Sequence, residues 1–215
     1  MIREVPSNEL FTILLVTCLL MVAAAKLVSS NRFSDFIYVF TNSKYLNIYS
    51  REQKFLDKFD ALLFVNLIIS ASIFAVLALK FFNGVDYTSI NALFKITVGL
   101  GSFFLIKVLI ERLIGSLFEI DSLIDAYLFQ KITYKNYLGL LLLPINAFLI
   151  YSFKSSAMLF NIMLGLLFLV NITGLITSFK RHQSLIKNNF FYFILYLCAL
   201  EIAPYIILYK VFILN

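Results

Sequence analysis

Residues 59–81 read FDALLFVNLIISASIFAVLALKF, with one acid at the start and one lysine near the end. A run this long and this apolar fits a large core or a lipid layer. The chain holds five more, at residues 10–28, 92–113, 136–153, 156–178 and 190–212. Each approaches the ~20 residues that cross a ~30 Å hydrocarbon layer at ~1.5 Å per residue. A chain of 215 residues that is 61% hydrophobic and 14% charged cannot hide this surface in a water-soluble core, because soluble domains carry about 25% charged residues. The reading is all-α: a polytopic transmembrane bundle of about six spans forming one integral membrane domain over 1–215. The lipid bilayer is its first partner.

The net charge of +6 would raise nucleic acid as a partner in a soluble protein. Here the basic residues flank apolar runs, which is a topology signal, so nucleic acid is excluded. Loops after the first, third and fifth runs, with their flanks, hold Lys26, Arg32, Lys44, Arg51, Lys54, Lys58, Lys107, Arg112, Lys131, Lys135, Lys180, Arg181 and Lys187. The other side holds Arg3, Lys80, Lys95, Lys154 and Lys210. The basic loops are therefore expected in the cytoplasm and both termini in the periplasm. The first run, preceded by Arg3, Glu4 and Glu9 and followed by Lys26, is expected to be a retained helix, since a signal peptide needs a positive leader.

Two cytoplasmic stretches carry helical patterns. Phe33, Phe36, Ile37 and Phe40 recur at i, i+3, i+4 and i+7, followed by Tyr45, Ile48, Tyr49, Phe55, Leu56 and Phe59. These predict amphipathic cytoplasmic helices resting on the inner leaflet. Leu113, Leu117, Ile120, Ile124 and Tyr127 also recur at helical spacing, as a continuation of the third span or a second surface helix. Arg51, Lys54, Lys58, Lys180, Arg181 and Lys187 make a basic surface for a partner or anionic lipid.

Two segments, TNSKYLNIYSREQKFLDKFDALLFVNLIIS and FFYFILYLCALEIAPYIILYK, resemble the domain of unknown function 4271 family of Bacteroidota membrane proteins. The matching residues are Arg51 and Glu52, then Tyr196, Cys198, Glu201, Pro204 and Lys210. The resemblance implies a bacterial inner-membrane location. It brings no catalytic residues.

Inside the apolar runs, polar residues are few. Glu201 lies about 16 Å into the last run, near the midplane, where a lipid-facing carboxylate costs upward of about 2.5 kcal/mol. It is expected to face other helices. Pro204 and Pro144 mark expected helix kinks. Lys107 and Glu111 lie one turn apart; Lys107 either snorkels to the inner surface or reaches Glu201. With Asn66, Asn146 and Asn171 they form an expected intramembrane polar cluster in one layer, serving as interhelical packing bonds or as a hydrated site. Ala157, Asn161 and Gly165 form a small-residue stripe expected at a close helix contact.

Walker A, GxSxG, HExxH and dinucleotide motifs are missing. Cys18 and Cys198 sit in apolar runs without CxxC spacing, so no metal or cofactor is expected. His182, in a basic loop, reads as a solvated residue. The expected function is a non-enzymatic inner-membrane accessory, scaffold or assembly component with a membrane-protein partner or a second copy. The alternative is a small proton- or ion-coupled transporter in which Glu201 titrates.

Overall fold

The computed structural model describes residues 8–39, 44–50, 57–84, 89–117, 121–151, 160–165, 167–170 and 172. Their regular structure is entirely helical: α1 (Glu9–Val28), α2 (Ser30–Ile37), α3 (Lys44–Tyr49), α4 (Lys58–Asn83), α5 (Ile90–Leu117) and α6 (Asp121–Tyr151). A further apolar helical stretch begins at Phe160. Among the described residues, three helices are long and apolar enough to cross a membrane: α1, Lys58–Phe82 of α4, and α5. α6 carries the fourth apolar run, diluted by Asn136, Pro144 and Asn146. Most of the fifth run and all of the sixth lie outside the described residues.

Local chemistry sets the ends. α4 opens on Asp57 in extended conformation and carries Asp60 in its first turn, where a carboxylate meets the positive end of the helix dipole. It closes on Gly84, whose φ of 67° is left-handed and whose N–H donates to the Lys80 carbonyl.

Side-chain ties fix the helix directions. On α6, the Asn136 amide donates to the Asp60 carbonyl at 3.5 Å and the Asn146 amide to the Ser70 carbonyl at 2.8 Å. Ten residues on α6 match ten on α4, so the two run parallel. Thr12 near the start of α1 meets Tyr151 at the end of α6 at 2.7 Å, so α1 runs antiparallel to both. Gly101 of α5 faces Ile68, and Gly115 faces Ile124. α5 thus returns alongside α4 and turns into α6. One end of the bundle gathers the end of α1, all of α2 and α3, the start of α4, the end of α5 and the start of α6.

The expected surface patterns take the following places. Of the aromatic pattern, Phe33, Phe36 and Tyr45, with Leu46, are buried with Phe59 and Leu63 of α4 and Phe129 and Tyr134 of α6, while Ile37 and Ile48 are exposed and Phe40, Phe55 and Leu56 lie outside the described residues. The Phe36 ring packs edge to face, at 5.6 Å from Tyr45 and 5.9 Å from Phe59. The pattern from Leu113 to Tyr127 is not one face. It divides between α5, where Leu113 and Leu117 are exposed, and α6, where Ile124 and Tyr127 are buried. Of the small-residue stripe, Asn161 and Gly165 are exposed among the described residues, and Ala157 lies outside them.

Candidate functional site

The charged end of the bundle is built around Arg32. It reaches α2's inner side because the chain leaves α1 through an extended Ser29 and turns back at once into helix. Its guanidinium is buried. It donates to Asp57, to Asp60 at 2.6 Å, and through Nε to the Tyr45 hydroxyl at 3.3 Å. Phe59, Tyr49 and Tyr45 rings lie 4.8, 5.2 and 6.0 Å from its central carbon. Burial alone would lower the Arg32 pKa; Asp60 foremost, with Tyr45 and Asp57, reverses this and raises it. Burial pushes the Tyr45 phenol far above its usual range, with Asp60 adding to the shift and Arg32 opposing it.

A second ion pair joins α5 to α6. Lys131 donates to Glu111 at 2.5 Å, with side chains 9% and 0% exposed. The other Glu111 oxygen has no hydrogen-bond partner. Lys107, one turn away on α5, is also buried and has a partner of its own. Lys135 places its ammonium 4.6 Å from the Phe104 ring, a second cation held between α5 and α6.

The described members of the expected polar layer occupy two levels, and Glu201 and Asn171 lie outside the described residues. Glu111 and Lys131 lie at the bundle's charged end. Asn146, ten residues beyond Asn136, lies about 15 Å deeper, at the level of Ser70. Asn66 is fully buried, and neither of its amide atoms has a hydrogen-bond partner. Lys58 is exposed. Glu201, Pro204, Asn171, Arg51, Lys54, Lys180, Arg181 and Lys187 lie outside the described residues. α6 continues through Pro144. The proline removes the donor that would meet the Leu140 carbonyl. An apolar groove of about 360 Å³ between α1 and α6 borders it, lined by Leu15, Leu19, Leu143, Ala147 and Tyr151.

Sequence reasoning missed Arg32, Asp57, Asp60, Tyr45, Lys131, Gln130, Thr133 and Asn136. In the sequence Arg32 and Lys131 read only as topology charges. A signal was present: Asp57 and Asp60 are carboxylates three residues apart, facing one way at the mouth of an apolar helix, where positive charge is the norm. Among the described residues, no group of three or more His, Cys, Asp and Glu side chains could hold a metal.

The fold and this end define an all-helical membrane protein whose buried charges are paired within the protein. The chain belongs to the family described as domain of unknown function DUF4271, whose model matches residues 11–212. No curated protein and no solved structure matches it.

Proposed function

We propose that this protein is a non-enzymatic accessory or scaffold component of a larger complex in a bacterial inner membrane. In this reading it is multi-pass with six spans, and both termini are periplasmic. The bacterial and Bacteroidota assignment follows the family resemblance. The observation that carries the reading is the Arg32 clasp. One buried cation holds two carboxylates and three rings, so α2 and α3 are held over the start of α4 and against Phe129 and Tyr134 of α6. A rigid cap on the bundle end gives a partner a preformed surface at little ordering cost.

The test is affinity purification of the full chain from native membranes in mild detergent. A reproducible membrane-protein partner is expected with the wild type, and at least a tenfold lower yield of it with Arg32→Ala. A wild-type protein that always runs alone defeats the reading.

A second reading is favoured by Asn66 and Gln130, buried amides whose side-chain atoms lack partners. A polar interior of this kind suits a small proton- or ion-coupled transporter, with Glu201 as the titrating carboxylate. An intact cellular phenotype with Glu201→Gln, beside misfolding with Glu201→Leu, counts against it.

A further inference from the structure

Gln130, Thr133 and Asn136 recur at i, i+3 and i+6 on α6. They form one strip about 9 Å long. All three side chains are buried, with relative exposures of 2%, 1% and 0%. Yet among the described residues Gln130 Nε2 and Oε1, Thr133 Oγ1 and Asn136 Oδ1 have no hydrogen-bond partner. Asn136 uses its amide nitrogen on the Asp60 carbonyl. A buried polar atom left dry costs the full desolvation of that group, and four along one strip would burden a single helix heavily.

The orphan atoms also say what would satisfy them. One is a pure donor, two are pure acceptors, and the threonine hydroxyl is both. The three residues carry no net charge. A cation would be met by the Gln130 amide N–H, and an anion by the carbonyl oxygens. An apolar guest would satisfy nothing. A neutral species that donates and accepts equally matches the set. We propose that the Gln130–Thr133–Asn136 strip of α6 is a buried water-binding site. The helix propensity of the strip gives no other reason for the pattern, since Thr and Asn are indifferent helix formers. The strip starts beside Lys131, whose partner Glu111 also keeps one oxygen without a partner. The inference stands apart from both functional readings, because a scaffold and a transporter alike must satisfy these atoms.

The test combines two measurements on the full chain in detergent. The first compares melting of wild type with Thr133→Val and Gln130→Met, which keep shape and remove the polar atoms. If water is bound, each variant lowers Tm by about 2–4 °C. A Tm that rises or stays the same means the atoms were dry and overturns the site. The second asks what the hydroxyl meets. In a background lacking Cys18 and Cys198, Thr133→Cys is treated with the small hydrophilic reagent 2-aminoethyl methanethiosulfonate. Leu128→Cys, at an equally buried apolar position, is the control. Modification of the former at least tenfold faster than the latter is expected. An inert Thr133→Cys means another part of the chain fills the strip, and the site is overturned. Gln130→Cys replaces Thr133→Cys if the latter does not fold.

Discussion

Arg32 is a permanent charge that would ordinarily stay in water, and the protein buries it by surrounding it. A lone buried guanidinium would cost several kcal/mol. Asp60, itself buried, and the more exposed Asp57 supply charge-assisted acceptors. Three rings cover the guanidinium faces, using the planar geometry that a lysine lacks. Tyr45 completes the clasp, and its titration gives a direct readout. Its folded pKa is raised, chiefly by burial, so the neutral phenol is the form that the fold stabilises. An unfolded tyrosine titrates near pH 10. The contribution to stability is whole below that pH and is lost as pH rises above it, because only the unfolded state releases its proton there. Thermal melts from pH 8 to 11 should show wild type losing stability above about pH 10 more steeply than Tyr45→Phe. Parallel curves for the two proteins would mean that Tyr45 titrates as an exposed phenol does.

Helices α4 and α6 come closest where α6 has no side chain. A Cβ placed on Gly139 would lie 2.7 Å from the Leu67 Cα, and one on Gly115 would lie 2.9 Å from the Ile124 Cβ. The first clash is with backbone, which no rotamer change relieves. Small residues of this kind let membrane helices gain dispersion contact in place of a hydrophobic drive. Gly99 is the internal contrast, because its added Cβ meets nothing within 4 Å. Gly139→Ala should therefore lower stability by about 1–3 kcal/mol through overpacking. Gly99→Ala should be neutral or stabilising by up to about 1 kcal/mol, the helix-propensity gain. Melting of the two variants against wild type checks the difference in sign. The helices themselves were legible in the sequence, since the runs at 10–28, 59–81 and 92–113 match α1, α4 and α5 closely. The start of α6 was legible only in part: Ile124 and Tyr127 recur at helical spacing, but nothing along the chain shows that Gln130, Lys131, Thr133, Lys135 and Asn136 turn toward partners on α5 and α4. Pairing across helices is a tertiary fact that hydropathy along one chain does not carry. The same limit hid Arg32, whose charge reads as solvated until Asp57 and Asp60 are placed around it.

At the scale of the whole molecule, charge divides between the two ends. Lys26, Arg32, Lys44, Lys58, Lys107, Arg112, Lys131 and Lys135 belong to the end that holds α2 and α3, while Lys80 and Lys95 belong to the other. In the folded state much of that excess is cancelled, Arg32 by two carboxylates and Lys131 by Glu111. Orientation is nonetheless decided during insertion, when lysine and arginine are counted and acidic residues weigh little. The clasp and the α5–α6 ion pair then form on the side already chosen. The charged end should face the cytoplasm, and single cysteines can read this directly. Tyr38 and Ser89 are exposed and lie at opposite ends of the bundle. With Cys18 and Cys198 replaced by alanine, Ser89→Cys should react with a membrane-impermeant maleimide in intact spheroplasts. Tyr38→Cys should react at least tenfold more after the membrane is permeabilised than before. The reverse pattern would invert the protein in the bilayer. It would also move the Arg32 cap to the periplasmic side, where a scaffold surface must meet an envelope partner instead of a cytoplasmic one.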